Sequence, residues 1–188
     1  MKNEIRIIGG QWRSRKLKFP SLEGLRPTPD RVRETLFNWL RDDIDGARCL
    51  DLYAGSGALG FEAASRGASR VVLVDSEARV CAALRQTCEL LGAIPVQVWQ
   101  ENACHYLAGS PEAFDVVFLD PPFHRGWLAP TCQMLETRGW LAPRAKIYIE
   151  AERDGPPDES PQAWQLLKNG AAGEVAYSLY QRRPQENS

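Results

Sequence analysis

Histidine is nearly missing from this 188-residue chain, which holds only His105 and His124. Its five cysteines, Cys49, Cys81, Cys88, Cys104 and Cys132, are odd in number and contain no CxxC pair. That excludes a zinc site of ordinary ligand spacing and a disulfide framework, and leaves reduced, mostly buried thiols and no metal. No apolar run reaches the roughly 20 residues that a spanning helix needs. The opening Met1-Lys2-Asn3-Glu4 lacks the pattern of a signal peptide. A soluble, cytoplasmic single domain with a sizeable core and without internal repeats is expected, acting as a monomer.

Net charge is also small, −1 overall, but it is unevenly spread. Through Arg41 there are ten Lys/Arg against four acids, or +6, and the remainder has thirteen against twenty, or −7. A basic head suited to a polyanion and an acidic body follow from that asymmetry. Within the head, Glu4 to Ile8, Gly9-Gly10 and Gln11 to Arg13 read as a hairpin with a tight turn. Arg6, Arg13, Arg15, Lys16 and Lys18 are candidates to grip phosphates, and Trp12 among them to stack a base.

Further along, Thr28 is expected to cap a helix with Pro29 at its first position. Val32, Leu36, Trp39 and Leu40 form its apolar stripe, and it ends near Asp42-Asp43. From Arg48 the pattern alternates strands and helices. Strands are expected at 49–53, 71–74, 96–99, 116–119 and 146–150, with helices to about Arg66 and from Ala78 to Leu91. Apolar strands alternating with helices imply an α/β fold, a parallel sheet covered on both faces. Gly155 to Pro161 reads as a surface loop. Trp164 to Leu167 and Val175 to Tyr180 read as a closing antiparallel pair, and 184–188 as a disordered tail.

Two constellations carry chemistry. Gly55-Ser56-Gly57-Ala58-Leu59-Gly60 follows a strand as GxGxxG, with Asp75 after the next strand. Asp51, four residues before Gly55, adds a carboxylate for a ligand's amino group. These details fit S-adenosyl-L-methionine: Asp51 and the backbone from Ala54 to Gly57 for its amino-acid end, Asp75 for its ribose. Asn102-Ala103 would sit beside its adenine, and Arg26-Pro27-Thr28 over its methionine end. Taken alone, Asn102 is equally a helix cap.

The second constellation is Asp120-Pro121-Pro122-Phe123, at the end of the apolar run from Phe114. Asp120 and the carbonyl of Pro121 can each accept a hydrogen bond from an exocyclic NH2, while Phe123 offers a stacking face worth ~1–3 kcal/mol. An aromatic amine is a poor nucleophile because its lone pair is delocalised into the ring. Acceptors that hold both hydrogens favour pyramidalisation, so the lone pair can be aimed at a methyl donor. The tetrapeptide alone does not distinguish guanine from adenine, cytosine or an amide.

Several segments together carry a family resemblance. They are Arg6 to Arg13, Leu25 to Thr28 with Asp30 to Leu40, Asp51 to Gly60, and Asp115 to Phe123 with Arg125-Gly126. In these the chain resembles the bacterial 16S rRNA guanine-N2 methyltransferases that modify guanine 966, and the similarity runs on through Gly139 to Ala142 and Val175 to Gln181. The resemblance implies a class I methyltransferase fold with a seven-stranded sheet whose last strand is antiparallel, S-adenosylmethionine as donor, and the small ribosomal subunit or its assembly intermediate as substrate. It maps the cofactor motif onto Asp51, Ala54, Gly55, Ser56, Gly57, Gly60 and Asp75, and the catalytic tetrapeptide onto Asp120 to Phe123. Asp75 stands where the family commonly has Glu, and Tyr53 where it has Phe. The implied organisation is a basic hairpin over 1–27 and a methyltransferase domain over 28–183. The rival readings are an adenine-N6 DNA enzyme, a nicotinamide oxidoreductase on the same glycine turn, and a non-catalytic RNA-binding factor.

Overall fold

The structure, a computed structural model, describes residues 3–154 and 160–184. Most of the expected loop at 155–161 and the tail beyond Pro184 lie outside the described residues. In chain order the elements are β1 (Glu4–Arg6), β2 (Lys16–Lys18), α1 (Asp30–Trp39), β3 (Arg48–Asp51), α2 (Ala58–Ser65), β4 (Arg70–Asp75) and α3 (Ala78–Leu91). Then come β5 (Val96–Gln100), α4 (Ala103–Ala108), β6 (Phe114–Leu119), α5 (Leu128–Thr137), β7 (Leu141–Glu152), β8 (Trp164–Ala172) and β9 (Val175–Arg182).

Seven strands form one sheet in the order β5-β4-β3-β6-β7-β9-β8. The five strands from β5 to β7 are mutually parallel, and β9 runs antiparallel to both of its neighbours. Strand direction alternates side chains between two cores. Cys49, Val71, Leu73, Val116, Phe118 and Tyr148 face one, where α1, α2 and α3 pack. Leu50, Val72, Val74, Val117, Leu119 and Ile149 face the other, where α4 and α5 pack. Near-continuous apolar strands are what burial on both faces requires.

The N-terminal segment departs from the expected tight hairpin. Glu4, Ile5 and Arg6 pair with Lys18, Leu17 and Lys16, so residues 7–15 form a broad loop and Gly9-Gly10 is no two-residue turn. The loop docks on α2 instead. The backbone N–H groups of Ile8 and Gly9 donate to the Glu62 carboxylate at 2.9 and 2.8 Å, and Trp12 N–H donates to Ser65 Oγ at 3.0 Å. Gly10 has φ +76°, and a Cβ there would stand 1.8 Å from the Ser65 carbonyl oxygen. Only glycine permits that approach. Ile7, Trp12 and Leu17 are thereby buried in the same core as α2 and β4.

Three further differences have local causes. Thr28 does not cap α1, because its hydroxyl donates to Glu150 Oε1 at 2.5 Å and the helix begins after Pro29 with no side-chain cap. The helix stops at Trp39, and turns carry the chain on to Gly46. Helix α4 was expected only in the reading of Asn102 as a helix cap, and α5 not at all. The first is only six residues long, and Pro130 in the first turn of the second resembles a breaker, although proline is tolerated there.

Candidate active site

Strand order reverses between β3 and β6, and the crevice at such a switch point opens at the strands' carboxyl ends. Asp51 ends β3, and Asp120 follows β6 directly. Pairing Asp51 with Phe118, and Phe118 with Tyr148, puts their side chains on one face. Two residues on, Asp120 and Glu150 therefore stand side by side on that face. Asp51 is 2% exposed and Glu150 4%, while Asp120 is half-buried.

These acids lack compensation. Among the described residues, none of the three forms an ion pair with Lys, Arg or His. Asp51 Oδ1 is buried with no hydrogen-bond partner. Burial pushes the Asp51 carboxyl up to about 7, with Asp75 and Glu150 adding repulsion and the Gly60 and Tyr53 amides opposing it. Burial, then Glu150 and Asp51, raise Asp120 well above the usual carboxylate range. Glu150 is also raised by burial, but Thr28 and Tyr148 hydroxyls donate to its Oε1 at 2.5 and 3.0 Å and oppose the rise. Those donors favour charge on Glu150 over charge on Asp120.

The glycine turn lies beside them. Gly55 (φ +53°) donates its N–H to Asp75 Oδ2 at 3.0 Å, and Glu77 N–H donates to Asp75 Oδ1 at 2.9 Å, so the Asp75 carboxylate is held from both sides. Desolvation raises Asp75. Ser56 is buried, its Oγ accepting from Ala58 N–H at 3.3 Å, and Ala54 is buried with it. Gly57 and Gly60 serve packing. A Cβ at Gly57 would meet Phe61 at 2.6 Å, and one at Gly60 would meet Leu73 at 2.1 Å. Asn102 caps α4, its Oδ1 accepting from His105 N–H at 2.8 Å, and the Ala103 side chain is buried.

A strap crosses the mouth. Leu25 lies over the glycine turn, its Cδ1 2.9 Å from where a Gly55 Cβ would stand, and Thr28 is tied to Glu150 at the end of β7. Residues 25–28 therefore run from the glycine turn after β3 to Glu150 of β7. On the opposite side, Pro121 is buried and Phe123 half-buried, whereas Pro122 is exposed. Trp127 stacks on Tyr53 at 6.4 Å between ring centroids and 15° between planes, while remaining 44% exposed. Tyr53 is itself held through its hydroxyl and Thr131 Oγ1, 2.7 Å apart.

Of the proposed phosphate-gripping residues, Arg6, Arg13, Arg15, Lys16 and Lys18 are all exposed. Lys16 pairs with Glu4 at 2.9 Å, and Arg15 donates to the Leu90 carbonyl at 3.3 Å. Trp12 is the exception. It is 8% exposed and packed in the core, so its ring has no free face for a base. Sequence reasoning also missed Glu150 and Trp127. The first was visible only as the last residue of a strand, and the second as an aromatic four residues past Phe123. Among the described residues, no group of three or more His, Cys, Asp or Glu could hold a metal ion, and no helix is long and apolar enough to cross a membrane.

This strand order, with an acid ending the first strand of the parallel sheet and a glycine turn opening the next helix, defines a class I, Rossmann-like methyltransferase. The chain matches the family model described as "Conserved hypothetical protein 95" over residues 5–181. It is 49% identical over 185 residues to "Ribosomal RNA small subunit methyltransferase D" of Escherichia coli, covering 98% of this chain and 93% of the relative. The protein of the same name from Haemophilus influenzae is 45% identical over 184 residues, covering 96% and 95%. The solved structure of the Escherichia coli protein yhhF superposes with a TM-score of 0.89 at 49% identity, covering 97% of this chain and 99% of that one. The chain belongs to the ribosomal RNA small subunit methyltransferase D family.

Membership implies S-adenosylmethionine, and the residues present fit it. That molecule carries net positive charge with an ammonium group, and the crevice supplies three acids without cations and an orphaned Asp51 oxygen. A buried carboxylate left unpartnered is costly unless a ligand completes it.

Proposed function

We propose that this protein transfers a methyl group from S-adenosylmethionine to the exocyclic N2 of guanine 966 in 16S rRNA, within the small ribosomal subunit or an assembly intermediate. The observation that carries the reading is the row of uncompensated acids Asp51, Asp120 and Glu150 at the switch point, one of them bearing an orphaned oxygen. The names of its relatives support rRNA of the small subunit as the substrate. Guanine N2 as the target rests on the resemblance of Asp120 to Phe123 and their flanking segments.

In this reading Asp51 accepts from the donor's ammonium group, and Asp75, already oriented by Gly55 and Glu77, accepts from its ribose hydroxyls. The glycine turn from Ala54 to Gly57 passes beside its carboxylate, although the Ala54, Gly55 and Gly57 N–H groups are engaged by Val74 O, Asp75 Oδ2 and Ala54 O, and the strap through Thr28 closes over it. Asn102 and Ala103 offer backbone beside the adenine, because the Asn102 side chain is engaged in capping and the Ala103 side chain is buried. When bound, S-adenosylmethionine supplies an activated methyl group. Asp120 and the Pro121 carbonyl hold the two amine hydrogens, Pro122 stiffens the loop, and Phe123 stacks the unpaired base. Trp127, exposed beside Tyr53, takes the stacking role that the burial of Trp12 denies to that residue. The basic loop over 1–27 docks phosphates, and residues 28–183 carry the chemistry.

Methyl transfer from labelled donor to small subunits from cells lacking this protein, followed by mapping of the modified base, tests the proposal. Label at the N2 of guanine 966 is expected. Label on another base, or none, overturns it.

A further inference from the structure

Glu150 belongs to none of the motifs discussed above, yet it is the most firmly held of the three acids. It ends the parallel part of the sheet beside Asp120, is 4% exposed, and receives two hydroxyl donors on Oε1. One is Thr28 of the strap, and the other is Tyr148 of its own strand. Tyr177 faces it from β9 by register, and Asp51 lies within electrostatic range across β6. Arg26 of the strap itself is exposed, and Arg33 is engaged elsewhere, donating to the Thr28 carbonyl at 3.3 Å and pairing with Asp30 and Glu62.

Keeping an ionisable group dry without a cation is unfavourable, and a Gln of the same shape would accept the same two hydroxyl bonds more cheaply. The carboxylate charge therefore needs a reason that hydrogen bonding to the strap does not supply. We propose that Glu150 is a charge-selecting residue of the cofactor pocket: its carboxylate favours the cationic methyl donor over the neutral-sulfur product, S-adenosylhomocysteine, while its bonds to Thr28 hold the strap that covers both.

The inference rests on the methyl-transfer reading, since only there do two ligands of nearly equal shape differ by one positive charge at the reacting sulfur. Its physical content is a Coulomb difference. At an effective dielectric constant of about 20, two unit charges on the order of 10 Å apart alter a binding constant by roughly ten- to twenty-fold. The hydrogen bonds to the strap, by contrast, act on both ligands alike. Glu150 thus makes two separable contributions, one through charge and one through shape.

Calorimetric titration of the full-length protein with each ligand separates them. For Glu150→Gln, the preference for S-adenosylmethionine over S-adenosylhomocysteine should fall by about ten-fold, mainly through weaker donor binding. For Thr28→Val, both ligands should weaken as the strap is released, with a smaller change of preference than in Glu150→Gln because Tyr148 still donates to Oε1, and Thr28→Ser should restore wild-type binding. Equal weakening of both ligands in Glu150→Gln would reduce Glu150 to a strap anchor and overturn the proposal. Failure of the wild-type protein to bind either ligand would instead sink the methyl-transfer reading itself. A thermal melt of each variant confirms that the comparison is made between folded proteins.

Discussion

Arg33 and Glu62 form an ion pair with no solvent exposure on either side chain, Nη1 standing 3.4 Å from Oε2. Glu62 accepts in addition from Ile8 and Gly9 N–H and from Arg66 Nε at 2.9 Å, so one carboxylate ties the N-terminal loop, α1 and α2 together. Removing one partner of such a pair leaves a buried charge uncompensated. Glu62→Gln should therefore destabilise by about 3–5 kcal/mol, lowering Tm by roughly 10 °C in a chain of this size. Thermal unfolding measures it, and a loss below about 1 °C would mean the loop is held by its apolar contacts alone.

Asp51 should trade stability for binding. Its carboxyl ordinarily titrates near 3.8 and stands near 7 in the folded protein, a difference on the order of 4 kcal/mol. A raised folded value means the native state holds its proton more tightly, so this group's contribution to stability falls as pH climbs from about 4 to 7 and stays low above. Asp51→Asn should raise the Tm of the ligand-free protein more at pH 8 than at pH 4.5, while cofactor binding is lost. Equal effects at both pH values would contradict the buried, unpaired state of this acid.

Asp120→Ala should preserve the fold and the affinity for S-adenosylhomocysteine but cut turnover on the order of a hundred-fold, because the amine is no longer aimed. Single-turnover methylation with saturating donor reads this directly. Retained turnover would place the amine-holding group elsewhere.

The exposed cations offer a salt test. Replacing Arg13, Arg15 and Lys16 together with Ala should weaken binding to the small subunit and lower the slope of log affinity against log salt by about 2–3. Cofactor affinity should not change. An unaltered slope would move the phosphate contacts off this loop.

Trp127→Ala should weaken binding of the unpaired substrate region by ~1–3 kcal/mol, with Trp127→Phe recovering most of it. Quenching of tryptophan fluorescence by a single-stranded RNA oligonucleotide should be reduced in Trp127→Phe. Undiminished quenching would assign the stacking ring to another residue.

Much of the fold was legible because burial on both faces leaves a local signature. The runs ending at Asp51, Asp75 and Leu119 are apolar without alternation, and α3 emerged with its observed limits. Helix α4 and the true course of the N-terminal loop were not legible. The first is too short to show a period, and the second is directed by Glu62 and Ser65 more than fifty residues away. Trp12 illustrates the same limit, since a tryptophan among arginines looks like an RNA contact until a distant helix covers it.

From residue chemistry alone came the glycine turn, the acids Asp51 and Asp75, and the amine-holding pattern of Asp120 to Phe123. These are short-range features, set by which groups lie within a few residues of a strand end. Tertiary structure decided which residues share the crevice. The registers of β3, β6 and β7 bring Asp51, Asp120 and Glu150 to one face, and the strap reaches Glu150 through Thr28 from 122 positions away in the chain. Parallel strands are joined through long crossovers, so which residues meet at a switch point depends on register, and no local pattern encodes register.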